Sequence, residues 1–295
     1  MFFLHTLGGQ IAYILPYWVV GILLGSAVAV FGKARIHALL LHGGGTGGSF
    51  AGLVAAAGIG IASPLCMYGT IPLAAAFAQK GVRQDWLAAF MMSSVLLNPQ
   101  LLLYTAALGW PMVLLRVAAC LFCGVAAGLC VRRYNARHAT PFLNFDAFSG
   151  GCRADRDTHP NLLCRYALNV WRNVKATALW FAVGIVLAAA GLSFIPADFM
   201  AAGTQQPYGG DVVLLALAGI PFYVCGGGAI PLIGSWLDMG MSMGAALAFT
   251  LTGAATKITN VGALKIVLGV RHLVYYTLFV FLCALFCGVL TNLFI

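Results

Sequence analysis

Long apolar runs divided by short basic loops set the pattern of this chain. The runs Ile11 to Phe31, Trp86 to Leu108, Pro111 to Val131, Val174 to Phe194, Met241 to Leu268 and Leu273 to Ile295 each reach about 20 residues, the length that crosses a bilayer core. Two more runs, Phe50 to Gln79 and Val212 to Leu237, are interrupted at Ser63-Pro64 and Ile71-Pro72 and around Cys225 and Pro231. Proline cannot donate a helix hydrogen bond, so each of these runs predicts two half-length helices meeting at a break, a re-entrant hairpin. Two of the full spans are also broken, at Asn98-Pro99 and in the stretch Thr252 to Lys257.

The hairpin breaks carry one motif twice. Cys66 to Leu73 and Cys225 to Leu232 both read Cys-x-x-Gly-x-Ile-Pro-Leu, at an offset of 159 (225 − 66). At nearly that offset, Leu121-Phe122-Cys123-Gly124-Val125 finds a counterpart in Leu285-Phe286-Cys287-Gly288-Val289. Internal duplication follows. Each half holds three crossings and one hairpin, and an odd number of crossings turns the second half upside down. The expected fold is an all-α polytopic membrane protein of two inverted repeats, each with three transmembrane helices plus a broken re-entrant hairpin. Its parts are a first repeat over 1–131, a cytoplasmic linker over 132–173 and a second repeat over 174–295. Were each hairpin a full crossing, the repeats would be parallel and Lys33, Arg35 and Arg271 would face outside.

Composition agrees with the apolar pattern, since 62% hydrophobic and 8% charged residues cannot build a water-soluble surface. A net charge of +9 would suggest nucleic acid in a soluble protein, but here Lys and Arg cluster between apolar runs, where they hold loops in the cytoplasm. Nucleic acid is excluded as a partner, and the lipid bilayer takes its place. The expected location is the plasma membrane, the inner membrane in a Gram-negative cell, with both termini outward. Arg116 is the exception, a charge inside a span that could snorkel or pair. The Gly43 to Gly48 run lacks the Gly-Lys-Ser/Thr ending of a phosphate-binding loop and reads as a hinge. No cofactor is expected, and the sequence sets no oligomeric state.

Broken helices at membrane depth expose backbone carbonyls and half-helix N-termini, which is how inverted-repeat transporters build a midplane solute site. The residues placed there are Cys66, Gly69, Pro72, Asn98 and Pro99 in the first half. In the second half they are Cys225, Gly228, Pro231, Thr256 and Lys257. Two thiols in a dry pocket suit a soft metal or metalloid species, with Cys66 and Cys225 as its ligands; small-residue packing is the other reading. Lys257, deep in a span, could bind an anionic solute, couple to protons or pair with a helix C-terminus. Cys120 with Cys123, and Cys283 with Cys287, share helix faces and could pass a metal or simply pack. Cys152, His159 and Cys164 could dock a metal in the linker but match no strong metal signature. Met91, Met92, Met239, Met241 and Met243 are soft ligands or packing filler.

These motifs resemble the ArsP-type permeases, predicted transporters that include organoarsenical exporters and members linked to soft-metal efflux. Pro64, Cys66, Gly69, Ile71, Pro72 and Leu73 fit the family's first motif, and Ser93, Leu96, Leu97, Asn98 and Pro99 its second. Gly228, Ile230, Pro231 and Leu232, then Gly253, Ala255 and Thr256, fit the related pair in the other half. The resemblance covers most of the chain and implies a permease, with efflux of a trivalent organoarsenical or similar species as the implied activity. Tyr68 stands where the family often has a second cysteine, Val95 and Ala254 replace later prolines, and Lys257 is an addition. A Cys-x-Cys clamp is therefore absent. The rivals of another class are a membrane enzyme using Ser49 with His272 as base, in which the duplicated motif would have no role, and a scaffold, which would need no broken helices. The reading adopted is a transporter and not an enzyme.

Overall fold

The computed structural model describes residues 50–63, 81–138, 161–168, 210–220, 230–256 and 258–294, with 70–71, 74–75, 77–78, 142–143, 170–172, 174–175, 178 and scattered positions between 8 and 30. Among the described residues every principal element is a helix: α1 (Phe50–Ala62), α2 (Gln84–Leu96), α3 (Pro99–Ala106), α4 (Trp110–Arg137), α5 (Gly210–Gly219), α6 (Ile230–Asp238), α7 (Met243–Ala255) and α8 (Ile258–Phe294). Among the described residues three stretches are long and apolar enough to cross a membrane: Gln84–Ala106, Trp110–Arg137 and Val267–Phe294. The 13 residues of α1 make about 20 Å of helix, short of the roughly 30 Å of a bilayer core.

Burial sorts these helices into inner and outer. The inner ones are α2, buried without interruption from Asp85 to Leu96, and α7, buried from Gly244 to Ala255. A helix hidden on every side has no water-facing stripe, and the few polar residues it carries, such as Ser94 and Thr252, are hydrogen-bonded inside. On α8, Val270, Val274, Leu278, Leu282, Phe286 and Leu290 form an exposed apolar stripe at one residue per turn, the surface that lipid favours.

Two sets of three helices repeat the same packing. In the first, α1, α2 and α4 all touch one another; in the second, α5, α7 and α8 do. The match extends to single atoms. A Cβ added to Gly60 would lie 2.6 Å from the carbonyl oxygen of Phe90, and one added to Gly219 would lie 2.9 Å from that of Phe249, both pairs related by the shift of 159. These helices approach backbone to backbone, with small residues at the contact. All four described positive-φ glycines pair as well: Gly81 (81°) with Gly240 (100°), and Gly109 (99°) with Gly269 (69°). Gly269 divides α8 into a first limb equivalent to α3 and a second equivalent to α4.

The structure corrects one sequence correspondence. Gly128 packs on the Asp85 carbonyl, Leu53 and Ala89, and Gly288 packs on the Gly244 carbonyl, Val212 and Ala248. Each partner is shifted by 159, so Gly288 matches Gly128 and not Gly124. Along α4 the register is 160 (288 − 128), and Cys123 corresponds to Cys283. The string Leu-Phe-Cys-Gly-Val matched at 164 because apolar spans draw on few residue types.

The sets interlock. Ile71 of the first motif, with Ala74 and Phe77 just after it, joins a cluster with Leu264, Val267 and Leu268 of the first limb of α8. Reciprocally, Ile230 of α6 packs on Tyr104 and Ala107 at α3. Across the middle, α4 and the second limb of α8 run antiparallel: Tyr134 meets His272, Cys123 lies beside Cys283 and Cys287, and Phe122 stacks on Phe286 at 5.3 Å.

Candidate functional site

Both inner helices stop at the same place in the repeat. After Leu96 the backbone of Leu97 swings to φ −147°, ψ 135°, and α3 starts two residues on. Asn98 caps α3, its Oδ1 accepting from the Leu101 N–H at 2.8 Å, and Pro99 sits in the first turn, where no N–H is needed. After Ala255, Thr256 leaves the helix at φ −94°, ψ 6°. Its hydroxyl lies 2.7 Å from the Thr252 carbonyl and 3.3 Å from that of Ile220, tying the break to the end of α5. Asn260 Nδ2 donates to the Ala254 carbonyl at 2.9 Å, and the Tyr276 hydroxyl donates to that of Ala255 at 3.4 Å. A helix end in a dry interior needs such partners, because an unmet carbonyl there costs about 1–3 kcal/mol. Leu96, Leu97 and Ala255 belong to one buried cluster, so the two breaks share a core.

The level of the first motif is set by three hydroxyls. Ser63, at the end of α1, and Thr70, beyond the motif cysteine, lie 3.2 and 3.1 Å from the same Ser94 Oγ. Chain that leaves Ser94 at Ser63 has returned to it by Thr70. Ser94 stands near the centre of the 23-residue span Gln84–Ala106. Sequence reasoning missed this cluster, although Ser63 preceding a proline inside an apolar run was its available signal.

Of the residues expected at the site, the structure places Asn98, Pro99 and Thr256 at the breaks, as described, and Pro231 in the described first turn of α6. Cys66, Gly69, Pro72, Cys225, Gly228 and Lys257 lie outside the described residues, as do Ser49, Cys152 and His159. Cys120, Cys123, Cys283 and Cys287 are buried free thiols at the crossing of α4 and α8. Among the described residues no group of three or more His, Cys, Asp or Glu is arranged to hold a metal ion. His272 has both ring nitrogens engaged, Nε2 with the Tyr134 hydroxyl and Nδ1 with the Leu268 carbonyl, each at 3.0 Å. Arg116 does not snorkel. It is 2% exposed, and its Nη1 donates to Thr105 Oγ1 at 2.7 Å, while its Nε has no partner.

A cavity of about 400 Å3 opens between α2, α4 and α8. Its deep end is lined by Met91, Met92 and Val95 of α2, two of them methionines expected to be ligands or filler. Val95 lies two residues before Leu97, and Tyr276, another lining residue, is bonded to Ala255 at the second break. The cavity therefore runs from the linker end of α4 to the level of both breaks. Phe142 and Leu143 cross its outer end, with the Phe142 N–H on Asn135 Oδ1 at 3.0 Å and the Leu143 carbonyl accepting from Gln84 at 3.1 Å. Nearby, Arg83 and Asp85 pair at 2.6 Å, a contact that holds the guanidinium above its ordinary pKa.

No curated protein and no solved structure matches this chain. Apolar helices long enough to span a bilayer, inner helices broken at matched positions and a cavity leading to those breaks agree with the remaining comparison: the chain belongs to the ArsP_1 family of predicted permeases, which matches residues 1–293.

Proposed function

We propose that the two halves are inverted repeats, and that the solute site of this permease lies at the membrane midplane between the two helix breaks. The observation that carries this reading is the cavity that reaches from the linker end to the level of Val95 and Tyr276. Two others support it. Equivalent helices that pack antiparallel, as α4 and the second limb of α8 do, are what a two-fold axis in the membrane plane produces. The Ser94 clamp on Ser63 and Thr70 favours a re-entrant first hairpin, with the motif cysteine at its tip.

In this reading the linker is cytoplasmic, the membrane is the plasma membrane, and the substrate is a soft metal or metalloid species such as a trivalent organoarsenical. Cys66 and Cys225 supply thiols beside the exposed amides of the two Ile-Pro-Leu turns, and Asn98, Pro99 and Thr256 shape the breaks. The test is efflux from everted vesicles of a trivalent methylarsenical, Cu(I) and Ag(I), with and without a proton gradient. Cys66→Ser and Cys225→Ser should each lower transport of the soft species by about tenfold, a loss of about 1.4 kcal/mol of binding, at normal protein levels. Unchanged efflux in both variants would leave the cysteines as packing residues. A second reading is favoured by the repeat register, which pairs Lys257 with Asn98 at the break: a small anionic solute bound by the ammonium. It expects Lys257→Met to abolish anion transport while both serine variants remain active.

A further inference from the structure

The wall of the cavity is uneven in a way that selects what it can hold. Its deep end, at Met91, Met92 and Val95, is buried and apolar, whereas Arg271, His138 and Tyr275 at the linker end are exposed. Tyr134, whose ring meets those of His138 and Phe142 edge-on at 4.3 and 5.1 Å, is fixed further by its hydrogen bond to His272. The polar wall is thus set before any ligand arrives. A volume of about 400 Å3 lies in the range of small-molecule sites, about 300–1,000 Å3, and far above the roughly 30 Å3 of one water.

Charge decides the sign of the occupant. Arg271 lines the mouth, and Arg133 and Arg137 are exposed on the last two turns of α4, the helix whose Tyr134 also lines the cavity. The carboxylate at this end among the described residues, Asp85, is paired with Arg83. Aromatic rings by themselves would also suit a cation, but this rim repels one.

We infer that the cavity is a binding site for an organic anion with an apolar body, its acidic head at Arg271 and its body between Met91, Met92 and Val95. Thioethers are polarisable and adapt to an irregular or aromatic surface, so they accept a flat ring without demanding one shape. The site does not depend on the midplane thiols, and its test reads binding, so it can fail or hold independently of the transport reading. An anion of this chemistry could arrive from water or from the bilayer, as a free acid or an anionic lipid.

Cys130 lines the cavity and is exposed, while Cys164 is exposed and lies outside its lining, which gives the full chain a reporter and an internal control. The protein is placed in phosphatidylcholine nanodiscs and N-ethylmaleimide labelling of each cysteine is followed by peptide mass spectrometry. Saturating 1-naphthoate should slow labelling of Cys130 at least about fivefold, leave Cys164 unchanged, and outperform neutral naphthalenemethanol and cationic naphthylmethylamine. Arg271→Gln should remove the preference for the anion, and Met92→Trp should remove protection altogether. Val95→Phe is the second filling variant, and gel filtration establishes that each variant is folded. Protection already present in phosphatidylglycerol nanodiscs, with naphthoate adding nothing, supports the same chemistry with lipid as its source. Equal protection by the amine, protection that survives both filling variants, or no protection by either naphthoate or phosphatidylglycerol would overturn the inference.

Discussion

The first and second helix sets share a backbone and differ in their polar atoms. At the register of 160, the buried cation Arg116 stands where the second set has Tyr276. Around Tyr276 the structure is open, for that ring lines the cavity. Around Arg116 it is closed: Tyr104, Ala119, Leu251, Ala254 and Thr291, the repeat counterparts of cavity-lining residues, are all buried. The breaks differ too. Ser94 meets both Ser63 and Thr70, whereas its counterpart Gly253 has no side chain, and the second break relies on Thr256, Asn260 and Tyr276. The two sets share the close contacts that sterics impose and differ in their hydrogen bonds and open space.

The comparison breaks first at its glycines. Gly60→Val and Gly219→Val push a side chain into the facing backbone, so each should cost about 1–3 kcal/mol, by similar amounts, in thermal unfolding of detergent-solubilised protein. A large loss in one with none in the other would show that the two contacts are not equivalent. A change of opposite sign is expected at Arg116. Its Nε lacks a partner, and Thr105 keeps its bond to the Leu101 carbonyl without it. Arg116→Met should therefore raise stability, by about 1–2 kcal/mol, because a desolvated cation with an unpaired Nε costs more than an apolar chain of similar length. A fall in melting temperature would instead make the guanidinium a structural tie. The smallest effect is at the hydroxyl clamp: Ser94→Ala should cost about 1 kcal/mol, and Gly253→Ala at the counterpart should not reproduce it. Equal effects would remove the distinction between the two helix sets at this point.

Much of this architecture is legible from residues in order. Prolines and asparagine placed the first break at Asn98-Pro99, because ring closure and side-chain capping act within three residues. The second break was legible through repetition, since Thr252 to Lys257 contains no proline and shows its meaning only beside the first half. The Cys-x-x-Gly-x-Ile-Pro-Leu copies likewise revealed a duplication that packing then extended to Gly60 and Gly219. Composition alone required a bilayer, because so few charges cannot cover a soluble protein.

What tertiary structure decided is whatever depends on residues far apart meeting. The true register of α4 against α8 rests on which glycine faces Asp85 or Gly244, and string similarity in apolar helices misplaced it by one turn. That Arg116 turns inward to Thr105 depends on the fold of α3 over α4. That Met91 and Met92, both part of the buried core, also border a cavity depends on how α2, α4 and α8 pack around it. Local chemistry determines where a helix starts and breaks; only the three-dimensional packing of those helices determines where space is left between them.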